Sequence, residues 1–387
     1  MTTIAVDVRA LGGGRESGVQ EYTRQVVTHM LALAPDIRFI LFNAGRRQTP
    51  VPWNGPNVTV FRYPRSNRML AMTMRAAGRP SLDRLVGGAD AFFFPHILYG
   101  TVSRSCRKVI TFHDLSFERF PEFFTLRQRI WHRAQMAPRR QAESADRLIA
   151  VSASTARDLT GMYGIPEERI SVIRSGVDAG LRREPEARVR AFRRYQALPG
   201  RFVLGLCTRE PRKNLAGLIA AFEALVSAPG YADMALVLVG PGGWREGEIR
   251  AALARSPVAS RIRLAGQVSP AERALWYSAA SLFVYPSFFE GFGFPPLEAM
   301  ACGTPVIASY GSSLPEVVGD AGVLVDPHDV REMAAAMHSI LSEPGLASVL
   351  SDRGAKRAAK FTWTSAAERT LSVLTAAHSP HGDAPGA

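Results

Sequence analysis

The sequence predicts an α/β protein built from two doubly wound domains, each a parallel sheet with helices on both faces. Three observations carry this. Short apolar runs suited to fully buried parallel strands recur in both halves, among them 4–11, 37–43 and 90–96 in the first and 202–207, 234–239 and 304–309 in the second. Stretches with apolar residues at helical spacing lie between them, as in 19–34 and 215–225. The 387 residues, 47% hydrophobic, are enough for two cores at about 100–200 residues each.

In chain order, IAVDVRAL (4–11) reads as a strand. GGGRESG (12–18) follows as a loop, and an amphipathic helix comes next. Gly12, Gly14 and Gly18 miss the dinucleotide-binding G-x-G-x-x-G spacing by one residue. The loop could cradle a phosphate or be a tight βα turn. IRFILFN (37–43), NVTVFRY (57–63) and DAFFFPH (90–96) are further strands. Between the last two, residues 65–84 interleave arginine with Met and Leu. That pattern fits a helix lying on a membrane surface, or a solvated helix with a core-facing Met stripe; we expect the second. VITF (109–112) is a strand with His113 and Asp114 at its carboxyl end, where parallel sheets bind ligands. Residues 124–147 are basic and amphipathic, a second candidate membrane-facing or acceptor-facing surface. RLIAVS (147–152) is a strand, and Ser152, Ser154 and Thr155 are good caps for the helix after it.

An Arg-rich run, 179–201, joins the halves. FVLGLC (202–207) opens the second domain, and TREPRKN (208–214) leads into a helix. Cations at a helix start do not favour its dipole, so Arg212 and Lys213 imply either an anion such as a pyrophosphate shared with the helix amides or two exposed basic side chains. Residues 281–307 read SLFVYPSFFEGFGFPPLEAMACGTPVI: strand, Gly-punctuated loop, helix with Pro295 and Pro296 at its start, strand. Glu290 and Glu298 bracket the loop and the first turns of the helix. Both could face one small polar ligand with vicinal hydroxyls. Taken singly, each is equally a loop charge or a first-turn acid.

Composition excludes several classes. Cys106, Cys207 and Cys302 are too few and too scattered for a disulfide framework or zinc site. The segment MTTIAVDVRALGGG lacks a basic region ahead of an apolar core, so no secretory leader is expected, and no run is long enough to span a bilayer. A cytoplasmic protein, or one peripheral on the inner face of the cell membrane, is the expectation. Of the formal charge of +13, +10 falls in residues 1–178, and nearly all the basic residues are arginine. This suggests an anionic partner such as a membrane surface or lipid phosphate, or else reflects composition alone. No helix-turn-helix, RNA-binding or zinc signature accompanies the charge, so no nucleic-acid partner is expected.

The ordered motifs resemble the retaining glycosyltransferases of family 4, which have the glycosyltransferase-B fold. They are SGVQEY (17–22), His113-Asp114, GVD (176–178), EPRKN (210–214) and Glu290-x₇-Glu298 within EGFGFPPLEAMACGTPVI. The resemblance runs from about residue 12 to 374 and implies two Rossmann-like domains facing across a cleft. Residues 1–180 would bind the acceptor and 181–360 the nucleotide sugar. A terminal helix at 361–375 would return to the first domain, and 376–387 would form a disordered tail. It implies catalytic roles for His113, Glu290, Lys213 and Arg212, the last two neutralising a diphosphate leaving group. Donor contacts fall to Gly14, Gly18, Val268, Gly291, Phe292, Gly293, Phe294 and Glu298, the acceptor side to Tyr22 and Asp114. Arg174-Ser175, Cys207 and Arg209 depart from the family pattern, and Arg209 is given no role.

The implied reaction is retaining transfer of a sugar from a nucleotide sugar to a lipid-linked or oligosaccharide acceptor. The text looks most like bacterial mannosyl- and rhamnosyltransferases of surface polysaccharides. GDP-mannose is the first expectation for the donor; dTDP-rhamnose, a UDP-sugar, or a nucleotide-sugar 2-epimerase on the same fold are the alternatives. No D-x-D and no metal-ligand spacing occurs in the chain, so neither a metal nor another cofactor is expected.

Overall fold

The computed structural model describes residues 1–13, 17–45 and 51–376. Two units emerge: one holds 1–117, 126–176 and the chain from 363 on, the other 118–125 and 177–362. The crossings at 177 and 363 lie near the sequence-based boundaries of 180 and 361. Residues 118–125 depart from expectation: read from sequence as part of the first domain, they pack with the second unit.

The first unit is a seven-stranded parallel sheet of order β3-β2-β1-β4-β5-β6-β7. The strands are β1 (Thr3–Asp7), β2 (Arg38–Ala44), β3 (Val58–Tyr63), β4 (Ala91–Phe94), β5 (Arg107–Phe112), β6 (Arg147–Ala150) and β7 (Ile170–Val172). Central strands such as AFFF of β4 are buried along their whole length, as expected for a sheet covered on both faces. The helices include α1 (Gly18–Leu33), α2 (Asn67–Ala77), α3 (Leu126–Trp131) and α4 (Ala153–Tyr163). β1 is shorter than the expected run 4–11. Arg9 turns back to grip both carboxylate oxygens of Asp7, with Nε–Oδ1 at 2.8 Å and Nη2–Oδ2 at 2.6 Å, and the chain enters a 3₁₀ turn at Arg9–Gly13. α1 starts in a capping box, where Ser17 Oγ accepts from the Gln20 amide and Gln20 Oε1 accepts from the Ser17 amide. The terminal helix, Trp363–Thr375, buries Trp363, Ala366, Ala367 and Thr370 and lies against α1, where Trp363 meets Tyr22 edge-on at 5.8 Å.

The second unit is a six-stranded parallel sheet of order β10-β9-β8-β11-β12-β13. Its strands are β8 (Arg201–Leu206), β9 (Met234–Val239), β10 (Ile262–Ala265), β11 (Leu282–Tyr285), β12 (Val306–Ser309) and β13 (Val323–Val325). Numbered within the unit the order is 3-2-1-4-5-6, the doubly wound arrangement that reverses direction between its first and fourth strands. That switch point lies between β8 and β11, which pair at Leu282↔Val203. The helices around it are α5 (Leu215–Val226), α6 (Arg273–Ala279) and α7 (Phe294–Ala301). After β9 the backbone runs hard against the end of β8. A Cβ on Gly240 would lie 2.0 Å from the Cys207 carbonyl oxygen, and Gly240 has φ +136°. Arg209 is held in the same place: Nη1 donates to the Gly240 carbonyl at 2.7 Å and Nε to Glu246 at 3.3 Å. It ties two loops together.

Candidate active site

The switch point of the second unit gathers four charged side chains. Glu210, Arg212 and Lys213 follow β8, and Glu290 follows β11. Lys213 Nζ lies 2.6 Å from Glu290 Oε1, and Arg212 Nη1 lies 2.8 Å from Glu290 Oε2. Arg212 also reaches Glu210 at 2.7 Å and donates to the Phe289 carbonyl at 2.6 Å, while Lys213 Nζ donates to the Tyr285 hydroxyl at 2.8 Å. The two loops are joined through the backbone as well, since the Phe288 amide donates to the Arg212 carbonyl at 2.9 Å. Glu210, Lys213 and Glu290 are buried. Burial pushes the Glu290 carboxyl up, but Arg212 and Lys213 together outweigh it and, with hydrogen bonds from Lys213 and Ser287, hold it down at about 2. The anion that the cation pair calls for is therefore supplied in part by the chain itself. Asn214, in the left-handed region, then caps α5: its Oδ1 accepts from the Gly217 amide at 3.2 Å and its Nδ2 donates to the Pro327 carbonyl at 2.6 Å.

Glu298 lies one loop and about one helical turn beyond Glu290 and has other partners. Arg273 Nη1 donates to its Oε1 at 2.8 Å, and the Tyr277 hydroxyl donates to its Oε2 at 2.9 Å, both from α6. Sharing that proton with a carboxylate in a buried setting pushes the Tyr277 phenol well up, burial being the larger cause. Gly291–Phe294 connects the two glutamates. Gly293 has φ +116° and faces Leu314 so closely that a Cβ would sit 2.8 Å from it, which explains the glycine there. Phe292 and Phe294 pack edge to face at 5.2 Å. Ser313 Oγ donates to the Glu290 and Phe292 carbonyls at 2.9 and 2.6 Å, pinning the loop. Val268 is partly exposed in the loop after β10.

In the first unit His113 directly follows β5, and its Nε2 lies 2.8 Å from the Pro95 carbonyl oxygen. A carbonyl only accepts, so Nε2 carries the proton and Nδ1 keeps a lone pair. Burial lowers the His113 pKa, against the opposing pull of Pro95 and Asp114, which favours this neutral form. Tyr22, expected on the acceptor side, is instead fully buried behind His113. The rings meet at 4.8 Å, the hydroxyl bonds Thr111 at 3.2 Å, and burial pushes the phenol up to about 12. It buttresses the imidazole from inside. Asp114 turns to the backbone, accepting from the Ser116 amide and hydroxyl at 3.0 and 2.7 Å. Gly18 is the first residue of α1, and Gly14 lies outside the described residues.

Sequence reasoning missed Glu210 as a partner, and also Tyr285, Arg273, Tyr277 and His96. Glu210 was legible in principle, because it stands only two residues before Arg212. Arg273 pairs with an acid 25 residues away and left no local signal. His96 follows β4, with its ring 5.7 Å from that of His113. Its Nδ1 has no hydrogen-bond partner among the described residues. Burial and the two neighbouring histidines hold its pKa at about 3. Among the described residues no three His, Cys, Asp or Glu side chains are placed to hold a metal ion, and no helix is long and apolar enough to cross a membrane.

Residues 17–181 match the sequence profile of "Glycosyltransferase Family 4", and residues 201–343 that of "Glycosyl transferases group 1". The chain is 32% identical over 283 residues to the O-antigen chain mannosyltransferase B of Escherichia coli, covering 73% of this chain and 72% of that one. Its fold matches sucrose-phosphate synthase of Thermosynechococcus elongatus with a TM-score of 0.73 at 22% identity, over 96% of this chain and 98% of that one. It also matches Anabaena HepE, solved in complex with UDP and glucose, with a TM-score of 0.72 at 18% identity, over 97% and 100%. With two doubly wound parallel sheets, the family's paired glutamates and basic pair at one switch point, and this kinship, the chain belongs to the family 4 glycosyltransferases of glycosyltransferase-B fold.

Proposed function

We propose that this enzyme transfers a hexosyl group, mannose from GDP-mannose in the first instance, from a nucleotide sugar to a lipid-linked or oligosaccharide acceptor of a surface polysaccharide, in the cytoplasm. The observation that carries the reading is the buried Lys213–Glu290–Arg212–Glu210 cluster at the switch point of the second unit. A nucleoside diphosphate leaving there would take up the electron pair of the broken anomeric C–O bond on its β-phosphate oxygen. Fixed cations stabilise that charge without reorganising. Arg212 and Lys213 are already held in place by Glu290 and Glu210, so little ordering remains to be done when donor binds. The kinship with an enzyme named O-antigen chain mannosyltransferase supports mannose.

The roles follow from the electrostatics. A carboxylate held at about 2 by two cations is a weak base and a poor nucleophile. Glu290 therefore acts as an acceptor of sugar hydroxyl hydrogen bonds and as the orienter of Arg212 and Lys213. Glu298, steered by Arg273 and Tyr277, accepts from the ribose hydroxyls. Val268 and Gly291–Phe294 line the donor. Neutral His113, with its Nδ1 lone pair, accepts from a hydroxyl of the transferred sugar or acceptor, and Asp114 shapes the turn beside it. The anomeric configuration is retained, and neither a metal nor another cofactor takes part.

The test is a thermal-shift screen of GDP-, UDP-, dTDP- and ADP-sugars followed by a transfer assay. GDP-mannose should raise Tm most, since a ligand bound only by the folded state stabilises it. Chelator should leave transfer unchanged. Lys213→Ala and Glu290→Ala should each lower kcat/KM by roughly a hundredfold or more. Near-normal transfer by either variant, or loss of transfer on chelation, would overturn the corresponding part of the reading. A larger shift with UDP- or dTDP-sugars would move the donor assignment to the alternatives.

A further inference from the structure

The two arginine-rich stretches of the first unit meet on one face. On α2, Leu70 and Met74 are buried, but Met69 and Met72 point outward, 53% and 60% exposed. The expected core-facing Met stripe is therefore split, half inside and half outside. On α3, Leu126 and Ile130 stand one turn apart at 69% and 57% exposure, with Trp131 at 40% beside them. The stretches abut, because Arg75 of α2 donates to the Ala134 carbonyl just past α3. Five of the eleven large hydrophobic side chains exposed among the described residues come from these two short helices. Single exposed apolar residues need no explanation, whereas such a concentration does.

The charge around this face identifies its occupant. Residues 65–79 carry four arginines and no acid, and 126–140 carry five and no acid. Arg65, Arg68, Arg79, Arg127 and Arg133 form no ion pair among the described residues, and Arg65, Arg68, Arg79, Arg127 and Arg133 are exposed. Apolar tips with an all-cationic rim fit an interface that is oily inside and anionic outside. A nucleic acid would match the charge but leave Met69, Met72, Leu126 and Ile130 without apolar surroundings. We propose that α2 and α3 dock the first unit on an anionic lipid bilayer, with the methionines, Leu126, Ile130 and Trp131 entering the headgroup boundary and the arginines contacting lipid phosphates. The inference draws on the lipid-linked acceptor of the proposed reaction only for its biological sense; none of the residues assigned to that reaction belongs to these two helices.

The experiment is flotation of the full chain with vesicles of phosphatidylcholine alone and with about one third phosphatidylglycerol. Binding is expected to the anionic vesicles only, with release at high salt as the arginines are screened. Substituting Arg68, Arg127 and Arg133 by Ser together should weaken binding about tenfold or more, with unchanged Tm. Met72→Ser with Ile130→Ser should weaken it at constant charge. Trp131 emission should shift to the blue on binding, and the Trp131→Phe variant should lose that change. Equal affinity for both vesicle types, no binding, or wild-type binding by both variants would overturn the proposal. So would sedimentation showing a dimer that the apolar variant dissociates. The screen of nucleotide sugars reads the other unit, so the two readings can fail separately.

Discussion

Glu290 is charged in a buried position because two cations touch it at 2.6 and 2.8 Å. Its carboxyl sits at about 2, well below the usual carboxylate value near 4.5 in the unfolded chain. A depressed folded pKa gives stability that is complete above the unfolded value and is lost as pH falls through the folded one. The second unit should accordingly lose on the order of 3 kcal/mol between about pH 5 and pH 2 through this group. Melting Glu290→Gln beside wild type over that range should show a flatter acid limb for the variant. Parallel limbs would mean that Glu290 is not the ionised partner. Tyr22 calls for a contrasting experiment. Since it is buried behind His113, Tyr22→Phe should cost about 1 kcal/mol of stability through the lost bond to Thr111, while acceptor KM stays unchanged. A raised acceptor KM would restore Tyr22 to the acceptor side.

At the scale of elements, the loops after two neighbouring strands are stitched together at the switch point. Gly240 shows how tight this packing is. Gly240→Ala would put a methyl 2.0 Å from the Cys207 carbonyl at φ +136°, so the ends of β8 and β9 would have to part. A loss of roughly 3 kcal/mol or more in urea unfolding of the second unit is expected, and a neutral result would show that the strand ends yield easily. The segment 118–125 is a second element whose place needed the third dimension. Phe123 stacks on Phe288 at 5.8 Å, Phe120 meets Phe289 at 5.5 Å, and Trp244 Nε1 donates to the Phe123 carbonyl at 2.7 Å. Trp244→Phe keeps an aromatic ring but removes the indole donor, so it should cost about 1 kcal/mol or more and raise proteolysis within 118–125.

At the scale of the molecule, each unit is closed by chain from far away in sequence. The terminal helix buries Trp363 against the first unit, whose remaining chain ends at Gly176. Trp363→Ala should cost about 3–5 kcal/mol, and hydrogen exchange should place the loss in the amides of α1 and β1 rather than in β8–β13. Uniform loss across both units would show that they unfold as one.

Much of this was legible beforehand. Parallel strands buried on both faces leave unbroken apolar runs, so β4, β8, β9, β11 and β12 stood out in the text. Motifs whose members are close in sequence, Arg212-Lys213 and the Glu290–Glu298 loop, were found where the sheet reverses. Local chemistry thus determined the fold class, the family and the basic pair. Tertiary structure alone decided that Glu290 neutralises that pair, that Arg273 and Tyr277 claim Glu298, that Tyr22 is a buttress, and that the methionines of α2 divide between core and surface. The physical reason is common to all four. Hydrogen bonds, ion pairs and burial depend on distance in space, and a sequence displays that distance only where partners are one loop or one helical turn apart.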